Sequence, residues 1–105
     1  MPKLTYDEAL DAINSEQHVD LSRVQPRALR RRVWCMLYSA PGCLPDYRAY
    51  CSTRQGAIDT ARELYEDDAP RGFATRLRKY GIAAADAQGY YRVEIDDFSL
   101  SDILD

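Results

Sequence analysis

Few residues in this chain have the chemistry for catalysis or metal binding, and their spacing argues against both. Three cysteines, Cys35, Cys43 and Cys51, stand at even intervals of eight residues. Zinc sites draw instead on closely spaced cysteine pairs backed by histidine, and the one histidine, His18, lies in another segment. Nucleophilic catalysis needs Ser or Cys beside a base, and His18 shares no motif with either. The neighbouring acids Asp67–Asp68 and Asp96–Asp97 have the form of carboxylate pairs, but such pairs are common where helices end in solvent. Phosphate-binding glycine loops, metalloprotease motifs and calcium loops are all missing. The expectation is a chain with no catalytic residue, no metal ligand and no cofactor.

The remaining chemistry is that of binding. Arg30 and Arg31 belong to a basic block, Arg27 to Arg32, that leads into a run containing Trp34 and Tyr38. Arg48 and Tyr50 follow across a Pro/Gly turn. Aromatic rings among arginines on one sheet face form the kind of surface that stacks unpaired bases. The same residue types dominate the buried centres of protein interfaces. Glu66, Asp67 and Asp68, together with the acidic stretch 96–105, could engage an arginine- or lysine-rich groove. A net charge of −3 and a pI near 5.1 oppose a general phosphate binder, and no RNA-recognition signature is present. Protein binding is therefore the first expectation and direct nucleic-acid binding the alternative.

These residues must be positioned by a small number of elements. At 105 residues, with 46% hydrophobic and 30% charged side chains, the chain reads as one ordinary globular domain spanning 1–105. No apolar run approaches the ~20 residues of a membrane span, and the start does not read as a signal peptide. The expected location is the cytoplasm, with reduced and mostly buried thiols.

Thr5-Tyr6-Asp7-Glu8 has the form of a capping box, predicting a short helix over 6–14. Pro26 suits the first position of another short helix. Val33, Trp34 and Tyr38 favour a strand from Arg32, and Tyr47–Ser52 its partner, giving a hairpin over 32–52. Symmetry about Cys43 sets Cys35 opposite Cys51, Leu37 opposite Ala49 and Trp34 opposite Ser52. One face then carries Val33, Cys35, Leu37, Ala49 and Cys51, and the other Trp34, Met36, Tyr38, Arg48 and Tyr50. A helix over 53–66, capped from Ser52, would lie on the small face, with Arg54 turned to solvent. A second helix over 70–80 opens at Pro70, with a weak point at Gly72, and closes at Gly81 in a left-handed conformation. Residues 83–89 read as a loop. Alternation then predicts a third strand over 90–96, and the end of the chain docks as one helical turn.

The hairpin–helix unit Val33–Tyr65, the last strand Tyr90–Ile95 and the acidic stretches give the chain a general resemblance to small phage-borne inhibitors of the anti-CRISPR type. That resemblance implies occlusion of a CRISPR effector complex, an assembly that handles nucleic acid, inside a bacterial host. It carries over no functional residue. The expected architecture is α+β: a three-stranded antiparallel sheet backed by helices 53–66 and 70–80, with the short helix 6–14. The expected binding residues are Trp34, Tyr38, Arg48, Tyr50, Arg30, Arg31, Glu66, Asp67 and Asp68.

Overall fold

A computed structural model describes residues 2–104. The first helix, α1 (Tyr6–Asn14), opens on the expected box: Thr5 Oγ1 accepts from the Glu8 amide at 3.3 Å, and Glu8 Oε1 accepts from the Thr5 amide at 3.0 Å. Its inner side buries Tyr6, Ala9 and Leu10. An extended return and a short 3₁₀ turn lead to α2 (Pro26–Leu29), with proline at the N-terminal turn, where its missing N–H is harmless. The hairpin follows as β1 (Arg32–Ser39) and β2 (Asp46–Cys51). Then come α3 (Arg54–Tyr65), α4 (Phe73–Tyr80), β3 (Ile82–Ala84), β4 (Arg92–Ser99) and α5 (Leu100–Leu104).

The domain is α+β, but its antiparallel sheet has four strands, in the order β2-β1-β4-β3. The extra strand, β3, lies in Ile-Ala-Ala, three residues of mostly low β preference that a propensity reading leaves as loop. The last strand is shifted as well, to Arg92–Ser99, so Tyr90 and Tyr91 precede it. Among the described residues no helix is long and apolar enough to cross a membrane.

The hairpin register differs from the symmetric one, and the difference turns the fold around. Trp34 pairs with Cys51, Cys35 with Tyr50 and Met36 with Ala49; a bulge then sets Leu37 opposite Tyr47 and Tyr38 opposite Asp46. Cys35 and Cys51 therefore face opposite sides of the sheet. That removes the disulfide a symmetric pairing would have allowed, and all three cysteines are free. Trp34, Met36, Tyr38, Ala49 and Cys51 share the face under α3 and α4, and Val33, Cys35, Leu37 and Tyr50 share the other, under α1, α2 and α5.

Each face has its own apolar core. Under α3 and α4, Met36 meets Ala57, Ile58, Ala61, Phe73 and Leu77. On the other side Val33 and Cys35 meet Tyr6, Leu10, Ala28 and Leu100. Small side chains at Ala57 and Ala61 let α3 sit close over the larger residues of β1. Ser52 does not cap this helix; Thr53 does, accepting from the Gly56 amide at 3.0 Å. Arg54 does not point to solvent: its guanidinium donates to the Leu77 carbonyl at 3.1 Å, tying α3 to the end of α4. Pro70 lies outside α4, whose N-cap is Gly72 at φ 88°. Gly81 closes α4 at φ 74° and donates to the Leu77 carbonyl, as the left-handed ending requires.

Asn14 finishes the fold at the free edge of the sheet. Its carboxamide donates to the Tyr50 carbonyl at 2.8 Å and accepts from the Tyr50 amide at 2.9 Å, the pairing another strand would make. This occupies the outer edge of β2 and joins α1 to the sheet. Asn14→Ala is expected to lower stability by about 1 kcal/mol, because both bonds are neutral and exposed to water. Faster hydrogen exchange at the Tyr50 amide, with little change at Ala49, is the expected signature.

Candidate functional site

The nine residues expected to bind do not form one surface. Trp34 is half-buried beneath α3. Tyr38 lies in a stack of parallel rings, 4.7 Å from Tyr65 on α3 and 5.6 Å from Tyr91 before β4, centroid to centroid. The Arg48 guanidinium sits 5.2 Å from the Tyr38 ring centre and 3.5 Å from the Asp46 carboxylate. Tyr50 is on the opposite face, stacked at 5.9 Å with Tyr47. Arg30 and Arg31 are exposed at the start of β1, where Arg31 lies 3.8 Å above the Tyr6 ring. Glu66 pairs with Arg62 at 2.7 Å, and Asp67 and Asp68 are exposed beyond α3.

The structure brings together Tyr38 and Arg48 and adds residues that periodicity alone does not single out. The β1–β2 turn and the loop before β4 adjoin, walling a shallow cleft of about 460 Å³ lined by Pro41, Cys43, Tyr90 and Arg92 among others. Of the large apolar residues exposed among the described ones, Leu44 (88%), Tyr90 (63%) and Tyr91 lie in the two loops at this end of the sheet, whereas Tyr47 faces the opposite side from Tyr38. The turn carries two prolines and a glycine, so it presents Leu44 with no neighbour to cover it. Tyr91 is anchored through its amide, which donates to Asp86 Oδ1 at 3.0 Å. Tyr90 carried a signal in the sequence, an aromatic side chain beside turn residues, but no local pattern places it against the β1–β2 turn.

Titration behaviour follows burial. Burial pushes the Cys35 thiol up to about 12, with the Asp96 carboxylate adding to the effect. Cys51 is raised by burial against a weaker opposing bond from Thr60. Burial also raises the phenols of Tyr6, Tyr38, Tyr50 and Tyr65. A thiol or phenol raised on folding stays protonated in the native state after it ionises in the unfolded chain. Its stabilising contribution is whole below the unfolded pKa and is lost as pH rises toward the folded value. Stability is therefore expected to fall steadily from about pH 9 upward, starting near the unfolded thiol pKa. Thermal melts between neutral pH and pH 11 check this. A thiol reagent at neutral pH should label exposed Cys43 quickly and buried Cys35 only on unfolding.

Among the described residues no group of His, Cys, Asp and Glu is placed to hold a metal ion. Searches of protein-family models, curated proteins and solved structures returned no match for the chain. What the arrangement offers is an exposed aromatic end on a sheet whose two faces are packed under helices.

Proposed function

We propose that this protein acts without catalysis, by docking the aromatic end of its sheet on another protein. The observation that carries this reading is the stacking of exposed Tyr91 on Tyr38 beside Arg48, at the end of the sheet where the β1–β2 turn and Tyr90 wall a cleft. Exposed apolar residues scattered singly mean little, but tyrosines packed together beside an arginine have the composition of an interface centre. The partner we propose is an assembly that handles nucleic acid. The resemblance of the chain implies a CRISPR effector complex in a bacterial cytoplasm, with inhibition by occlusion.

Direct nucleic-acid binding is less well supported, because apart from Arg48 and Arg92 the basic residues named for it lie away from the aromatic end. Arg27, Arg30 and Arg31 lie before the start of β1 and the aromatic end lies beyond its finish. At a rise of about 3.3 Å per residue, the strand between them spans about 23 Å. Arg32 is also engaged, donating to the Asp97 carboxylate at 2.9 Å.

Affinity capture from a bacterial host lysate tests the reading, comparing the wild-type chain with Leu44→Ser/Tyr90→Ser. Capture of a protein that resists nuclease treatment and falls at least about tenfold in the variant is the expected result, equivalent to two interface anchors. Recovery of nuclease-sensitive material alone, or equal capture by both chains, would contradict it.

A further inference from the structure

Beside the entry to β1 lies a small cleft of about 180 Å³, lined by Thr5, Tyr6 and Asp7 on one side and by Gln25, Arg27 and Arg31 on the other. One of its two cations is held in place. The Arg31 guanidinium lies 3.8 Å from the centre of the Tyr6 ring. That ring is fixed in turn, being 4% exposed and tied through its hydroxyl, which donates to the Arg32 carbonyl at 2.6 Å. A guanidinium resting on a ring uses its π surface and leaves its N–H groups to other partners.

Those donors are free. Among the described residues Arg32, Arg48 and Arg62 bind carboxylates, and Arg54 and Arg76 bind backbone carbonyls; Arg27 and Arg31 do neither. Thr5 and Gln25 add neutral donors. The Thr5 oxygen accepts from the Glu8 amide, which leaves its own hydrogen available, and the Gln25 side chain makes no cap for α2. The one carboxylate on the wall, Asp7, forms no ion pair with either arginine.

We propose that this cleft binds inorganic phosphate. Two guanidiniums beside hydroxyl and carboxamide donors suit a tetrahedral oxyanion, and the volume holds one together with a few waters at about 30 Å³ each. Asp7 decides which oxyanion. Inorganic phosphate keeps a proton at neutral pH and can donate it to the Asp7 carboxylate. Sulfate has no proton to give, so its oxygens would face that carboxylate charge against charge. The net charge of −3 does not oppose such a site, because charges more than about 10 Å away are largely screened at ordinary ionic strength. The cleft lies at the opposite end of β1 from the aromatic end, so this inference stands apart from the docking reading.

Titration of the whole chain with sodium phosphate at neutral pH and constant ionic strength tests it, following the arginine Nε–Hε signals by NMR. The signals of Arg27 and Arg31 should shift saturably, with a dissociation constant of a few millimolar, on the order of 4 kcal/mol or less. Sulfate should bind about fivefold more weakly, and Asp7→Asn should abolish that preference. Arg27→Gln should weaken phosphate about tenfold, the usual effect of losing a hydrogen bond to a charged group. Arg27 is exposed and unbonded within the fold, so this variant keeps the native structure and reads binding alone. Arg23→Gln/Arg30→Gln, which removes two charges outside the cleft, should change affinity less than about twofold. The absence of a saturable shift below about 20 mM phosphate would overturn the proposal. So would equal affinity for sulfate in the wild-type chain, or a loss in Arg23→Gln/Arg30→Gln as large as that in Arg27→Gln, either of which would show general attraction of anions.

Discussion

Phe73→Ala is expected to lower the unfolding free energy by about 3–5 kcal/mol, the usual range for deleting a buried ring. Phe73 is 2% exposed and is one of only two fully buried anchors of α4, the other being Leu77. An eight-residue helix has no stability of its own in water, so α4 exists because these side chains pack under it. Removing the ring leaves a cavity among Met36, Ile58 and the alanines of α3, where Ala57 and Ala61 have nothing with which to fill it. A domain of this size has about 5–15 kcal/mol in total, so the variant should sit close to its folding threshold. Urea unfolding followed by circular dichroism gives the loss. Native-state emission of Trp34, which packs against the same cluster, should shift with it.

Leu100→Ala is expected to cost about 2–5 kcal/mol from the opposite face. Leu100 is fully buried and is the one buried residue of α5. Its amide donates to the Arg31 carbonyl at 3.0 Å, so the same residue fastens the end of β4 to the segment entering β1. Its neighbours are Tyr6, Ala28, Val33 and Cys35, with no part of the Trp34 cluster. Trp34 emission in the folded variant should therefore match the wild type, despite a comparable loss of stability. Together the two variants test the assignment of the faces. With the large residues of β1 on the α1 side, as a symmetric hairpin would suggest, their fluorescence responses would be exchanged.

That exchange marks the boundary of what could be read from residues alone. Elements with local signals were legible: the Thr5–Glu8 box, Pro26 at the start of α2, the apolar stripe of α3, the left-handed stop at Gly81. The strand from Arg32 was legible too, through Val33, Trp34 and Tyr38. The side of the sheet on which each residue falls was not. It depends on a bulge at Arg48 and a one-residue offset in pairing, and one residue of slip moves every side chain of a strand to the other face. Nothing local fixes that offset, which shows only in the pairing of β1 with β2 and in the grip of Asn14, from another element, on Tyr50. β3 was hidden because Ile82–Ala84 is too short and alanine-rich to show a period. Of the candidate site, Tyr38 and Arg48 were legible as an aromatic beside a base. Tyr65 and Tyr91, which stack on Tyr38, came from distant parts of the chain. Glu66, Asp67 and Asp68 were legible as acids, but they project past α3, away from any aromatic partner in the set.

Recognition is proposed at the end of the sheet where the β1–β2 turn meets the loop before β4. Hydrogen–deuterium exchange on the chain alone and bound to its captured partner tests that placement most directly. Protection on binding should concentrate in residues 40–50 and 86–96, with the amides of α1 and α4 unchanged. Protection confined to residues 23–32, or to the outer surface of α3, would contradict it.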